Sequence, residues 1–258
     1  MKYKDFDGGI GELVRLNLRQ LEAGHGIRIV HAVESGSRAW GFASPDSDYD
    51  VRFIYIRPMS YYLSLGPKND YIDGVLDETL DINGWDITKV LQHVYRSNAS
   101  VYEWLNSPVV YETSPLMMQV NDVCGAFFSS KAALCHYWGT ARNNYETYLK
   151  EDMVKYKKYF YVLRPLLACQ WIEQKRCPPP VLFQTLLDDV TDLGLKAQIE
   201  ALRAQKVRMT EAEKGPRLSD LNAYIEDRLG YYRELSSNMP DDRKYQWDAL
   251  DSLFLRLV

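Results

Sequence analysis

Two short groups of residues near the N-terminus contain the side chains that are best suited to chemistry. The first is Gly36-Ser37, and the second, Asp48-Tyr49-Asp50, begins an apolar strand after a spacer of ten residues. Alternate side chains of a strand share a face, so the carboxylates of Asp48 and Asp50 point the same way. Two close carboxylates repel each other unless a cation lies between them. Such hard oxygen ligands suit Mg²⁺, which binds one or two carboxylates together with substrate phosphates.

The Gly36-Ser37 pair offers complementary contacts to a phosphate group. Glycine lets the backbone approach closely, and the serine hydroxyl and nearby N–H groups can donate to phosphate oxygens. Arg38 follows directly and is a further candidate for a phosphate contact. Arg52 lies on the predicted strand face of the two carboxylates, where it either binds phosphate or neutralises them as a structural counter-ion.

The elements that must hold these residues alternate between strand and helix. Apolar residues at helical spacing predict a helix over 10–23, and β-rich segments predict strands over 27–33, 48–56 and 79–82. Asn83-Gly84-Trp85 is typical of a turn. Asp86 then has the position of an N-cap, because the apolar residues after it recur at helical spacing.

The chain changes character after Pro115. Helical patterns dominate from residue 116 onward, and the strand signal almost disappears. We therefore predict an α+β protein. It would combine an α/β domain with a small mixed sheet over residues 1–115 and an all-helical domain over residues 116–258.

A basic stripe is predicted in the helical half. Lys150, Lys157 and Arg164 recur every seven residues and would lie nearly on one helix face, with Tyr161 on the same side. Such a stripe is either a solvated face or a binding surface. Arg164 lies in a dense aromatic and apolar run, so a buried contact with phosphate or an ion pair is open to it.

Composition excludes several classes of protein. The 258 residues are 46% hydrophobic and 26% charged, which excludes disorder as the main state. No apolar run approaches the roughly 20 residues that span a bilayer. The net charge of −4 argues against a surface coated in positive charge for bulk nucleic-acid binding. The N-terminal residues lack the apolar core of a secretory signal, so we expect a cytoplasmic protein with no membrane partner.

The motif described above resembles the signature of the DNA polymerase β-like nucleotidyltransferase superfamily. The longer string over residues 34–54, ESGSRAWGFASPDSDYDVRFI, is similar to one branch, the predicted nucleotidyltransferases grouped with RNA repair (the YcgL/RlaP-like branch). Further segments fit that branch: GWDITK at 84–89, EWLNSP at 103–108 and KKYFYVLRPLL at 157–167. The resemblance covers most of residues 30–180 and implies a nucleotidyltransferase α/β domain followed by a helical domain that closes the nucleotide cleft.

The resemblance also implies a third carboxylate from a neighbouring strand. We choose Asp81, because it lies in a short apolar segment that leads into the next helix. Its competitors are Asp77, Glu78 and Asp86. Asp86 is better suited to capping that helix, since its side chain would then be occupied by backbone N–H groups.

The implied activity is the transfer of a nucleoside monophosphate from an NTP, such as ATP, to an acceptor hydroxyl with release of pyrophosphate. Asp48, Asp50 and Asp81 would be the catalytic residues and the ligands of Mg²⁺ or Mn²⁺. The nucleotide phosphates would contact Gly36, Ser37, Arg38, Arg52, Lys157 and Arg164. The acceptor is an RNA end, a small molecule or a protein. The alternative is a weakly active or inactive module that binds a nucleotide or a partner in a repair or toxin–antitoxin system.

Overall fold

Five strands from the N-terminal half form one mixed sheet. The computed structural model describes residues 7–44, 47–77, 79–206 and 214–258. The strand order is β3-β4-β2-β1-β5. The strands are β1 (Arg28–Glu34), β2 (Tyr49–Ile56), β3 (Tyr71–Leu76), β4 (Leu80–Asp86) and β5 (Val110–Thr113). The pair β2–β4 is parallel and the other neighbouring pairs are antiparallel. The predicted small mixed sheet is confirmed.

Helices make up most of the remaining described chain. In chain order they are α1 (Ile10–His25), α2 (Gly36–Ala39), α3 (Met59–Leu63), α4 (Ile87–Tyr95), α5 (Ala99–Leu105), α6 (Leu116–Gly125), α7 (Ser130–Tyr148), α8 (Lys157–Lys175), α9 (Phe183–Asp188), α10 (Leu193–Lys206), α11 (Ser219–Asn238) and α12 (Asp248–Leu257). A short pair of strands, β6 (Met153–Lys155) and β7 (Lys214–Pro216), lies among the later helices.

The chain forms two compact units. The first contains Met1–Trp40, Ser47–Phe127 and Lys244–Val258, and the second contains Gly41–Asp46 and Phe128–Arg243. These units differ from the predicted ranges, because α6 and α12 follow residue 115 and yet belong to the first unit. Helix α12 packs against α4 and α6, and α6 also contacts β1. The cleft-closing role of the helical domain stays a prediction.

The core of the first unit lies between α1 and one face of the sheet. The apolar stripe of α1 contributes Leu13, Val14 and Leu18, which are fully buried against Val51 and Phe53 of β2. Because strand residues alternate between faces, Asp50 and Arg52 project from the opposite face of β2. The carboxylate of Asp50 and the guanidinium of Arg52 therefore lie on the face of the sheet opposite the core that α1 covers.

The second unit has an aromatic and apolar core of its own. Helices α7 and α8 pack along each other. Phe42 belongs to this unit, and its ring lies 5.3 Å from that of Phe160 and 5.6 Å from that of Phe183. All three rings are buried. The spacer between the two parts of the motif thus contributes an anchor to the helical core.

Two local predictions were wrong. Asn83-Gly84-Trp85 is not a turn, because β4 continues through these residues to Asp86. Gly84 is needed there, since a Cβ atom would overlap the ring of Phe53. Lys150 does not share a helix with Lys157 and Arg164, because α7 ends at Tyr148 and β6 intervenes before α8.

Among the described residues, no helix has both the length and the apolar character needed to cross a membrane. The four cysteines, Cys124, Cys135, Cys169 and Cys177, are all free thiols.

Candidate functional site

The parallel pairing of β2 and β4 brings two of the predicted carboxylates together. Asp50 lies directly opposite Asp81 in the register of the two strands. The pairing extends to Thr79, the residue before β4, because the N–H of Tyr49 donates to its carbonyl at 2.7 Å. Asp81 therefore lies on the strand next to Asp50, as predicted. Its catalytic role stays a prediction.

Arg52 connects the two carboxylates. Its Nη2 atom lies 3.1 Å from Asp50 Oδ1 and 2.8 Å from Asp81 Oδ2. Its Nη1 atom donates to the carbonyls of Val51 and Asp81 at 3.0 and 3.1 Å. In this structure Arg52 is the counter-ion of the two carboxylates. Its phosphate contact stays a prediction.

Gly36 occupies a position that no other residue fits well. Its φ angle is +58°, which L side chains rarely adopt, and an added Cβ would overlap Asp50 Oδ2 and lie 3.1 Å from Asp50 Cγ. The adjacent N–H of Ser35 donates to the carbonyl of Asp50 at 2.8 Å. The backbone at the start of α2 is therefore packed directly against the Asp50 carboxylate.

Ser37 and Arg38 follow in the short helix α2. Ser37 is buried. The guanidinium of Arg38 lies 3.6 Å above the centroid of the Tyr49 ring. Its Nε and Nη2 atoms donate to the carbonyls of Asp48 and Ser47 at 3.0 and 2.5 Å. Arg38 thus stabilises the end of the spacer, and its predicted phosphate contact is untested.

Glu34, which belongs to the motif and has no predicted role, is a buried carboxylate beneath this site. It is 1% exposed at the end of β1. Its Oε1 atom accepts a hydrogen bond of 2.8 Å from the N–H of Asp50, and its Oε2 atom accepts one from the hydroxyl of Tyr111. A charged residue that ends an apolar strand, with one residue between it and a Gly-Ser pair, is the sequence signal for such a support.

Burial and the repulsion of nearby negative charges make the carboxyl groups of Asp50 and Glu34 harder to ionise. Burial raises the pKa of Asp50, and the nearby charges of Asp81 and Asp48 raise it further, although Arg52 acts in the opposite direction. Burial also raises the pKa of Glu34. A bound cation would lower these pKa values, because it would stabilise the ionised forms.

The donor set can be tested against Mg²⁺ or Mn²⁺. Asp50 and Asp81 offer hard oxygen ligands, and each side chain is 32% exposed. Asp48 is exposed just before β2. Within the described ranges, no three or more His, Cys, Asp or Glu side chains are grouped closely enough to hold a metal ion. The chemistry still fits, because Mg²⁺ needs only one or two carboxylates when substrate phosphates complete its shell.

The competitors of Asp81 have other positions. Asp86 is the N-cap of α4, as predicted: its Oδ1 atom accepts hydrogen bonds from the N–H and the hydroxyl of Thr88 at 2.9 and 2.7 Å. Asp77 accepts hydrogen bonds of 2.8 Å from the N–H groups of Thr79 and Leu80, which closes the turn between β3 and β4. Glu78 lies outside the described residues.

The predicted phosphate contacts of the helical half lie in the second unit. Lys157 and Arg164 are both in α8. Arg164 is 3% exposed, and its Nε and Nη2 atoms each donate to the carbonyl of Val181 at 3.3 Å. Arg164 is therefore not part of a solvated stripe. Lys150 pairs with Glu146 at the end of α7. The phosphate contacts of Lys157 and Arg164 stay predictions.

Comparison with known proteins agrees with the resemblance found in the sequence. Residues 10–256 match the family described as RlaP, RNA repair pathway DNA polymerase beta family. A protein of Bacillus subtilis (strain 168), the uncharacterized protein YcgL, is 40% identical over 243 residues, which cover 93% of this chain and 94% of that protein. The crystal structure of a nucleotidyltransferase-like protein from Exiguobacterium sibiricum 255-15 matches 96% of this chain and 87% of its own, with 13% identity and a TM-score of 0.31.

Proposed function

The chain belongs to the RNA repair pathway DNA polymerase beta family, and we propose that it is a nucleotidyltransferase that transfers a nucleoside monophosphate from an NTP to an acceptor hydroxyl. The observation that carries the proposal is the position of Asp50 opposite Asp81 on parallel strands, next to the bare backbone of Gly36. A pair of carboxylates suits a divalent cation, and a glycine backbone suits the phosphates that share this cation.

The reaction forms one bond and breaks one. The acceptor oxygen attacks the α-phosphorus of the NTP, and pyrophosphate leaves with the electron pair of the broken P–O bond. Asp81 would accept the proton of the attacking hydroxyl. Mg²⁺ or Mn²⁺, held by Asp50 and Asp81 with substrate phosphates completing its shell, would supply neutralisation of the phosphate charge when bound. Asp48 stays a predicted third ligand, because it is not grouped closely enough with the other two among the described residues.

The remaining residues of the site would bind and orient the nucleotide. The N–H groups of Gly36 and Ser37 would donate to phosphate oxygens, because no side chain stands between this backbone and the carboxylates. Arg52 is fixed to the backbone of both strands through its Nη1 atom. It would therefore keep Asp50 and Asp81 close together and ionised before the substrate arrives.

An RNA end is the acceptor that the family description favours. The experiment incubates the purified protein with each NTP and either Mg²⁺ or Mn²⁺, and measures pyrophosphate release with and without single-stranded RNA. RNA-dependent release would support an RNA acceptor. Release without any added acceptor would indicate modification of the protein itself.

Two variants make the test specific. Asp50→Asn should abolish release, because it removes a charge that holds the cation. Asp73→Asn should leave release unchanged, since Asp73 is an exposed carboxylate on β3 of the same sheet. Unchanged release in Asp50→Asn would contradict the proposed mechanism. The inactive binding module, the alternative function, would require wild-type protein that binds an NTP and never releases pyrophosphate.

A further inference from the structure

The second unit contains a cavity of about 590 Å³ with polar and aromatic walls. Two helices supply those walls. The residues of α8 that line it are three and four positions apart and so share one face: Gln170, Glu173 and Gln174. The residues of α11 also recur at helical spacing: Tyr224, Arg228 and Tyr231. The volume lies within the range of small-molecule sites.

The cavity has an apolar floor and a polar rim. Val190, Leu195 and Tyr232 line it and are at most 8% exposed. At the rim, Tyr231 is 40% exposed and Asp192 is also exposed. A flat ring can therefore enter with its faces against aromatic and apolar groups while its polar substituents meet the rim.

The hydrogen-bonding groups of the walls include both donors and acceptors. The amides of Gln170 and Gln174 each offer an N–H₂ donor and an oxygen acceptor. The hydroxyl of Tyr231 donates to Glu173 Oε1. Burial raises the pKa of Tyr224 to about 12, so this phenol is protonated at neutral pH and remains a donor.

The charge balance of the lining disfavours a phosphate inside the cavity. Glu173 and Asp192 are acidic, and Arg228 is the basic residue among those that line the cavity. The guanidinium of Arg228 is also committed to Asp227, with Nη2 at 2.6 Å from Oδ2. A planar, uncharged group with donors and acceptors along its edge fits this lining better than an anion does.

We propose that this cavity binds an unpaired nucleobase. A base has two faces that can stack on the ring of Tyr231 and an edge that can bond the amides of Gln170 and Gln174. The base would come from a single-stranded RNA, and this choice of occupant rests on the proposed function. The phosphates of the strand would remain outside the acidic rim.

Binding can be measured without the chemical step. Full-length protein is titrated against a fluorescently labelled single-stranded RNA, without NTP and with a chelator present, and fluorescence anisotropy is recorded. Tyr231→Ala should weaken binding at least about fivefold, as expected for the loss of one base–aromatic stack. Tyr231→Phe should bind like the wild type because it retains the ring. Tyr148→Ala is the matched control, since Tyr148 is 41% exposed and lies on α7, outside the cavity.

Several outcomes would overturn the proposal. Equal affinity of Tyr231→Ala and wild type would do so, as would equal affinity for an abasic strand of the same length, which would indicate a phosphate site. Absence of binding by the wild type would also overturn it. A further result would contradict the RNA assignment. If free ATP displaces the strand from the wild type, and Tyr231→Ala loses both ATP binding and RNA binding, the cavity would be assigned to a free nucleotide.

A second variant and a second measurement separate a loss of RNA binding from a loss of folding and from a failure of the proposed function. If Tyr231→Ala does not fold, Gln174→Ala, at an exposed position on the facing wall, should weaken binding in the same assay. The failure of the proposed function is visible separately, because Asp50→Asn should bind RNA normally. Normal RNA binding with no pyrophosphate release from wild-type protein would refute the transfer reaction and leave the cavity assignment standing.

Discussion

The two ends of strand β4 carry carboxylates in contrasting surroundings. Asp81, near its start, is 32% exposed and shares the guanidinium of Arg52 with Asp50. Asp86, at its end, is 1% exposed and accepts hydrogen bonds from Thr88 and from the hydroxyl of Tyr62. The carboxylate at the start of β4 is thus partly exposed to solvent, whereas the carboxylate at its end is buried and hydrogen-bonded within the fold.

The contrast separates a residue that can act on a ligand from one that stabilises the protein. The oxygens of Asp86 are occupied by hydrogen bonds within the fold, and burial raises its pKa despite those bonds. Asp81 keeps exposed surface beside a second carboxylate, which is where a cation gains most. We therefore expect substitutions at the two ends to affect different measured quantities.

The largest expected effect is on turnover. Asp81→Asn should lower kcat for pyrophosphate release at least about 100-fold, because the amide cannot accept the proton of the acceptor hydroxyl. The melting temperature should change little, since an amide oxygen can still accept from Arg52. A variant with wild-type kcat would remove Asp81 from the catalytic group.

A substitution at Gly36 would disturb the carboxylate pair of Asp50 and Asp81, because the backbone of Gly36 packs against Asp50. Gly36→Ala should cost about 1–3 kcal/mol of unfolding free energy, because of its positive φ, and should also lower turnover by displacing Asp50. Chemical denaturation and the pyrophosphate assay measure the two effects. Gly24→Ala in α1, where a Cβ meets no atom within 4 Å, should be neutral or stabilising. Equal stability of the two alanine variants would contradict the close approach of Gly36 to Asp50.

Asp86→Ala should affect stability and spare turnover. The loss of an N-cap and of the partners of the buried carboxylate should cost about 1–2 kcal/mol, measured by denaturant unfolding. Asn98→Ala provides the comparison, because Asn98 caps α5 through a hydrogen bond from the N–H of Ser100 at 2.9 Å. That variant should cost about 0.5–1 kcal/mol. Orders-of-magnitude loss of turnover in folded Asp86→Ala would mean that the roles of the two ends are reversed.

The smallest expected effect concerns His31 on β1, a buried residue that resembles Asp86 in having partners within the fold. Its Nε2 atom must donate to the carbonyl of Trp104 at 3.3 Å, so Nδ1 accepts from the hydroxyl of Thr113 at 3.1 Å in the neutral ring. Burial lowers the pKa of His31 below 6.5. As the pH falls below about 6.5, the unfolded chain binds a proton that the folded protein does not bind, so stability decreases.

Denaturant unfolding at pH values on either side of 6.5 measures this effect. Between neutral pH and about one unit below 6.5, the wild type should lose more stability than His31→Gln does. His25→Gln, at an exposed histidine, should retain the full pH dependence of the wild type. The same pH dependence in His31→Gln and wild type would show that His31 does not carry it. Turnover at neutral pH should be unaffected by either substitution.

Part of the local structure around the site could be predicted because its signals are local. Asp86 was predicted as an N-cap from the apolar spacing that follows it, and the cap is present. Asp81 was chosen because it lies in a short apolar segment before that helix, and it faces Asp50. The choice of these two residues depends on neighbours within a few positions, where helix and strand periodicity restrict the geometry. The expectation of a third carboxylate came from the family resemblance.

The predictions that failed depend on distant partners. Gly84 was assigned to a turn because glycine usually marks one, whereas here it makes room for the ring of Phe53 on the adjacent strand. Lys150 was assigned to the helix of Lys157 because their spacing is helical. The chain instead leaves α7 and pairs as β6 with β7, about sixty residues away, through contacts such as Val154 with Gly215.

The sequence by itself determined the residue types of the site and their local order: a Gly-Ser pair, a spacer, and carboxylates that alternate along one strand face. The parallel register of β2 and β4, which places Asp81 opposite Asp50 and Arg52 between them, was decided only by the tertiary structure. So was the burial of Glu34 beneath Asp50. The physical reason is that strand periodicity specifies which face a side chain occupies, whereas the identity and register of the neighbouring strand depend on packing between segments far apart in the chain.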